Sequence, residues 1–338
     1  MTKKEKYSWH ATNWQRWRDA CESGRVPHAL LLHGPAGLGK LSFAHAAAEQ
    51  VLGLASAAQV SAGAADVNEG HPDFHVVTFE AKNAAGDLKT TIGVDQVRAM
   101  SQELAVTSHA GGTKVGLVYP AEAMTMAAAN SLLKTLEEPP GNTLLLLVTS
   151  RPASLLATVR SRCQRLEFSV PERKEAEAFM AAAGCSGDVH RLLDFAGGAP
   201  LAALALEKDG FSELDHRLEA DLTGIINRSA DPVAVAAKWF RLDMALVLHW
   251  LDQRVASMIR LAMAGPAANE EGVVPETLAR LALALPAARL FHYLDRLRWL
   301  KLRIDGPINT QLAVESLLMP WATRFSGGEA TRAMESIR

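Results

Sequence analysis

Hydrophobic residues in the first half of the chain fall into short dense runs separated by stretches of helical spacing. The runs are HALLLHG (28–34), FHVVTFE (74–80), KVGLVYP (114–120), TLLLLVTS (143–150) and RCQRLEF (162–168). Their length predicts strands, and their alternation with helical segments predicts a parallel sheet covered by helices on both faces. The run at 143–150 is apolar at nearly every position, which predicts a central strand buried on both sides. Residues 54–74 are small, polar and rich in turn formers, and predict a surface excursion.

Strand signals stop after Phe168. The pattern over 170–210 predicts a small helical unit with an internal turn at Gly197-Gly198 and Pro200. Beyond it, Leu/Ala-rich helical stretches run on, broken at Pro232, at AGPAANEEGVVPE (264–276) and at Gly306-Pro307. Within LFHYLDRLRWLKLR (290–303), Leu290, Phe291, Leu294 and Leu297 are assigned to one face, with Arg296, Arg298 and Lys301 elsewhere. That predicts a bundle helix with a solvated basic side rather than a nucleic-acid patch. The fold class is therefore α/β plus all-α, in three parts: 1–169, 170–210 and 211–338.

Composition narrows the function classes. The chain has 338 residues, 49% of them hydrophobic, enough for two or three packed domains. A formal net charge of −2 supplies no global basic field for binding nucleic acid alone. Cys21, Cys163 and Cys185 are too few and scattered for a disulfide framework, which fits a reducing compartment. No apolar run reaches membrane-spanning length, and the opening MTKKEKYSW lacks a hydrophobic signal core, so the expectation is a soluble cytoplasmic protein.

The first run leads into Gly34-Pro35-Ala36-Gly37-Leu38-Gly39-Lys40, the spacing of a phosphate-binding loop that opens a helix. Backbone N–H groups freed by Gly34, Gly37 and Gly39, the Lys40 ammonium and the helix N-terminus favour phosphate. The hydroxyl that normally follows the lysine and ligates Mg²⁺ is missing, because Leu41 stands there. Ser42 comes one residue later, which rotates a helical side chain by about 100°. The strand KVGLVYP runs into Pro120 and Ala121 where a metal-binding carboxylate and a catalytic glutamate are expected. Glu122 comes late and is read as an exposed turn residue. Hydroxyl, metal carboxylate and base are missing together, so no ATPase activity is expected of this chain alone.

AAANSLLKTLEEPPGNTLLLLVTS (127–150) and LLATVRSRCQRLEF (155–168) resemble the AAA+ clamp-loader family, as do GRVPHALLLHGPAGLGK (24–40) and TIGVDQVRAMSQEL (91–104). The resemblance covers residues 8–210 well and the later helices more loosely, with INTQLAVESLL (308–318) similar to the closing helix of the family. It implies a RecA-like AAA+ domain with a five-stranded parallel sheet, a small helical lid and a C-terminal helical collar. The Ser161-Arg162-Cys163 motif then implies an arginine finger, with Arg162 reaching the ATP site of an adjacent subunit and Ser161 and Cys163 shaping the turn. Cys163 reads as a small buried residue. Glu137 and Glu138, ahead of Pro139-Pro140, read as the end of a surface helix rather than as paired catalytic acids. Thr149 and Ser150, where related ATPases sense the γ-phosphate, read as strand-end hydrogen-bonders.

Two departures refine the picture. Related subunits carry a cysteine-rich zinc module, but residues 54–74 contain no cysteine, and His71 and His75 alone are too few for a site, so no zinc is expected. Leu201 occupies the position where an arginine of the small helical domain would reach the nucleotide. The losses point to a non-hydrolysing stator rather than the hydrolysing gamma/tau type. The implied partners are gamma/tau and delta, with the beta sliding clamp and primed DNA reached through the assembly. No cofactor is required on this reading. Three alternatives stay open: residual ATP or ADP binding by Gly34, Gly37, Gly39 and Lys40 in a sensor; a self-sufficient ATPase using Ser42 and Glu122; and a stand-alone DNA-binding protein.

Overall fold

The computed structural model describes residues 7–53, 71–81, 89–106, 112–266, 274–304 and 309–325. Most of the expected surface excursion, residues 54–70, lies outside them. The chain divides into two compact units, Met1–Cys185 with Ala196–Leu204, and Ser186–Phe195 with Ala205–Arg338.

The first unit is built on strands β1 (Ala29–His33), β2 (Phe74–Val77), β3 (Lys114–Val118), β4 (Thr143–Thr149) and β5 (Gln164–Glu167). They form a parallel sheet in the order β2-β3-β4-β1-β5, as the alternating pattern predicts. Register sets Ala29 opposite Leu145 and Leu30 opposite Gln164. Every residue of β4 is buried.

Alternation along the strands sorts their side chains onto two faces. Leu30, Leu32, Leu144, Leu146 and Val148 enter one core with Trp14 and Trp17 of α1 (Ala11–Glu22) and with Phe43, Ala44 and Ala47 of α2 (Lys40–Val51). Ala29, Leu31, Leu145 and Leu147 enter the other, with Val97, Met100 and Leu104 of α3 (Val94–Ala105) and Ala128, Leu132 and Leu136 of α4 (Met126–Glu137). Thr125 caps α4 by accepting from the Ala128 N–H at 3.2 Å. Val159 of α5 (Ala157–Arg160) and the adjacent Cys163 complete this second core. Helix α6 (Arg173–Ala182) follows β5, and Gly197 and Gly198, both at positive φ, separate α7 (Val189–Phe195) from α8 (Pro200–Lys208).

The second unit is helical among the described residues. Its helices include α9 (Phe211–Ile226), α10 (Pro232–Trp239), α11 (Met244–Ala264), α12 (Glu276–Ala284), α13 (Ala287–Lys301) and α14 (Thr310–Ala322). Asp215 of α9 is buried and takes Trp250 Nε1 at 2.6 Å, Arg254 Nη2 at 2.5 Å and Arg191 Nη1 at 3.0 Å, tying α9, α11 and α7 together. Elsewhere Trp321 Nε1 donates to the Tyr293 hydroxyl at 2.9 Å, which donates to Leu317 O at 3.0 Å.

Helix α13 departs from the sequence expectation. Leu290, Leu294 and Leu297 are buried, but Phe291 is 47% exposed, and Tyr293 and Leu300 take the remaining core positions. Phe291 follows Leu290 directly, and the 100° step carries it off the stripe. The basic side is only partly solvated: Arg298 pairs with Asp252 at 3.0 Å, and half-buried Arg296 donates to Ser316 O at 3.4 Å.

Burial alone would raise the Asp215 carboxyl, but Arg254, the Trp250 hydrogen bond and Arg191 outweigh it and hold the group below its ordinary range. Its stabilisation is therefore complete above the unfolded value of 3.8 and is lost as pH falls through the lower folded value. Asp215→Ala is expected to cost about 3 kcal/mol at neutral pH, since it removes the buried carboxylate shared by two partly buried guanidinium groups and leaves Glu219 to pair with both. Urea unfolding of the pair should reveal that deficit and its shrinkage in acid.

Candidate functional site

Strand β1 delivers the chain to the phosphate-type loop at the C-terminal edge of the sheet. Gly34 has φ 143° there, and a Cβ would lie 2.1 Å from Phe168 O, so the loop leaves β1 in contact with the exit of β5. Gly37, at φ 75°, is covered by α8: a Cβ would lie 2.4 Å from that of Ala202, and Gly37 O accepts from the Leu201 N–H at 3.1 Å. Leu201 thus meets the loop through its backbone.

Lys40 opens α2 but turns back on its own loop. Its Nζ donates to Gly34 O at 2.7 Å, to Pro35 O at 2.5 Å and to Ser150 Oγ at 3.2 Å. The residue is 4% exposed, and burial lowers its pKa to about 8 while the charge of Glu122 pulls the other way. A phosphate entering this loop has to displace oxygens that already hold the ammonium. Leu41 is half-buried against the core, and Ser42 is exposed.

The sequence reading of Glu122 as an exposed turn residue is overturned. Its side chain is 6% exposed in the 3-10 turn Ala121–Ala123, where Oε1 accepts from the Ser150 N–H at 3.1 Å. Arg151 Nε lies 4.0 Å from the same oxygen, and Oε2 is buried without a hydrogen-bond partner. The turn after β3 folds beneath the end of β4, a juxtaposition that residue spacing does not encode. Thr149 Oγ1 accepts from the Arg151 N–H at 3.1 Å, so both strand-end hydroxyls act as local acceptors.

An aromatic cap at the loop has no counterpart in the sequence reading, which noted of the opening MTKKEKYSW that it lacks a hydrophobic signal core. Trp9 Nε1 donates to Leu38 O at 3.0 Å, and His10 Nε2 shares that carbonyl at 2.7 Å, which makes Nε2 the protonated nitrogen. Tyr7 lies over Gly39, stacked on Trp9 with centroids 4.9 Å apart, and Phe179 of α6 packs edge-on against both. The available signal was the YSWH cluster just ahead of a helix.

Arg162 sits elsewhere. It follows α5 and precedes β5, at the N-terminal edge of the sheet, whereas the phosphate-type loop lies at the C-terminal edge. The four residue-to-residue steps from Gln164 to Phe168 span roughly 13 Å, so Arg162 and its own loop stand a strand's length apart. Its Nη1 donates to Thr158 O at 3.0 Å and its Nη2 pairs with Glu137 Oε1. Ser161 Oγ also donates to Thr158 O, at 3.1 Å. Cys163 is buried, and burial pushes its thiol up to about 11, which makes it inert at neutral pH. Glu138, beyond the last helical residue, is exposed. His71 lies before β2 and accepts from the Asp73 N–H at 3.1 Å, while half-buried His75 is part of the strand. Among the described residues no three His, Cys, Asp or Glu side chains are grouped to hold a metal ion, and no helix is long and apolar enough to cross a membrane.

The cap makes the loop acid-sensitive. Burial, opposed by the Leu38 bond, lowers the His10 pKa from 6.5 to about 4, so the stability it protects is complete above 6.5 and is lost as pH falls toward 4. The interval corresponds to about 3 kcal/mol at 1.36 kcal/mol per unit. Melting curves from pH 7 to 4 should fall less steeply for His10→Phe than for wild type, since the other histidines are common to both.

Residues 9–172 match the family model described as DNA polymerase III, delta subunit. DNA polymerase III subunit delta' of Pseudomonas aeruginosa is 29% identical, the alignment covering 94% of this chain and 97% of that protein. The Yersinia pestis counterpart is 31% identical over the same shares, and that of Escherichia coli 30% identical over 93% and 94%. With such identity along nearly the whole of both chains, the chain belongs to the DNA polymerase III subunit delta' family.

Proposed function

We propose that this chain is the non-hydrolysing stator of a clamp loader, and that Arg162 completes the ATP site of a gamma/tau neighbour. The observation that carries the reading is the position of Arg162 at the sheet edge opposite its own loop. A guanidinium there is too far from the Lys40 loop to act on a phosphate bound in it. It is open to a neighbouring chain, with a side chain 35% exposed. In such a site it would offset charge developing on the transferred phosphoryl.

The loop's condition supports the same division of labour. Lys40 is held by its own loop and by Ser150, Leu41 offers no metal ligand, and Glu122 Oε1 is engaged by the Ser150 N–H. Neither a nucleotide nor zinc is needed for the stator role. The helices of 211–338 would supply the collar that joins gamma/tau and delta, with 170–210 as the small lid. The beta clamp and primed DNA would be engaged through the cytoplasmic assembly.

The reading is tested in a clamp loader reconstituted with gamma/tau and delta partners, with assembly checked by size. Arg162→Ala is expected to leave the complex intact and to slow hydrolysis at the one site it serves by about 10³-fold or more. Lys40→Ala should leave DNA-stimulated turnover within about twofold of wild type, and the isolated chain should show no Mg²⁺-dependent ATPase. A damaging Lys40→Ala with a silent Arg162→Ala would reverse the assignment and make the loop the working site.

A further inference from the structure

We infer that Glu137 is the positioning residue of the Arg162 finger, an inference that rests on the proposed action of Arg162 in a neighbour's site. The guanidinium is anchored at two points by its own chain, Nη2 on Glu137 Oε1 and Nη1 on Thr158 O. Both anchors stand on packed elements. Glu137 is the last residue of α4, whose Leu132 and Leu136 are buried, and Thr158 precedes Val159 of α5 in the same core. The following Pro139-Pro140 prevents α4 from continuing and fixes where the carboxylate emerges.

Two anchors change what the finger has to do when a neighbour's triphosphate arrives. A free arginine loses rotamer entropy when it is ordered. Here the side chain is ordered beforehand, and three of its five N–H donors remain for phosphate oxygens. Pre-set donors act on developing charge without reorganising at the moment of reaction. The carboxylate also carries an opposing charge. The pair is 35% and 50% exposed, so solvent screens that charge while the geometry persists.

The test is a four-member cycle in the reconstituted clamp loader: wild type, Glu137→Ala, Arg162→Ala and the double variant, with Glu137→Gln as the conservative change. Single-turnover hydrolysis, ATP KM and complex size are read, and melting of each isolated chain controls for folding. Glu137→Ala is expected to lower the hydrolysis rate roughly tenfold with KM and assembly unchanged, a coupling of ordinary size for contacting residues. Glu137→Gln keeps an oxygen acceptor and should retain most of the rate. In the Arg162→Ala background, Glu137→Ala should change nothing further. Losses that multiply, a silent Glu137→Ala beside a damaging Arg162→Ala, or a faster Glu137→Ala complex would each overturn positioning while leaving the finger intact. A silent Arg162→Ala would overturn the finger itself, and the inference with it.

Discussion

The parallel pairing of β1 with both β4 and β5 is the constraint on which the rest of the first unit depends. It sends every strand's C-terminal end to one edge of the sheet, so the Gly34–Lys40 loop, Ser150 and Phe168 meet there. It also sends every N-terminal end to the other edge, where Arg162 lies. Hydrophobic burial enforces the arrangement, since a one-residue slip would turn Leu30 and Leu32 into the core built for Ala29 and Leu31. The Lys40 loop and Arg162 therefore stand at opposite edges of the sheet and cannot meet within one chain.

At the loop edge, polar groups are satisfied from within. The Lys40 ammonium, the Leu38 carbonyl and the Gly37 carbonyl all have partners in the same chain, drawn from segments as distant in sequence as residues 9 and 201. Phosphate is bound by donors, and the ammonium among these groups is already held by carbonyls of its own loop. Here the aromatic cap and the start of α8 stabilise the loop conformation without a ligand. Such internal support of the loop is what the proposed stator role calls for.

Much of this was legible in the sequence, and the limits follow from range. The five strands, the central burial of β4 and the loop glycines could be read because alternation and turn chemistry are local. The losses at Leu41 and Pro120 were equally plain, being substitutions within short motifs. The burial of Glu122 was not, because it is created when the turn after β3 folds under β4. Trp9 and His10 were missed because their partner, Leu38, lies in a different element. Glu137 was read as a helix end, which it is, but its bond to Arg162 joins residues brought together by the packing of α4 and α5. Phe291 was assigned to the core by a stripe drawn one residue too wide.

The contact between Gly34 and Phe168 O has a consequence for how such loops are recognised. A side chain at this position would collide with the strand exit whether or not a phosphate is ever bound. The same holds at Gly37, where α8 occupies the space. Glycines in this loop are thus demanded by steric fit, and they would persist under selection for folding alone. The glycine spacing of such a loop therefore reports how closely its backbone is packed, and by itself does not report whether phosphate binds there.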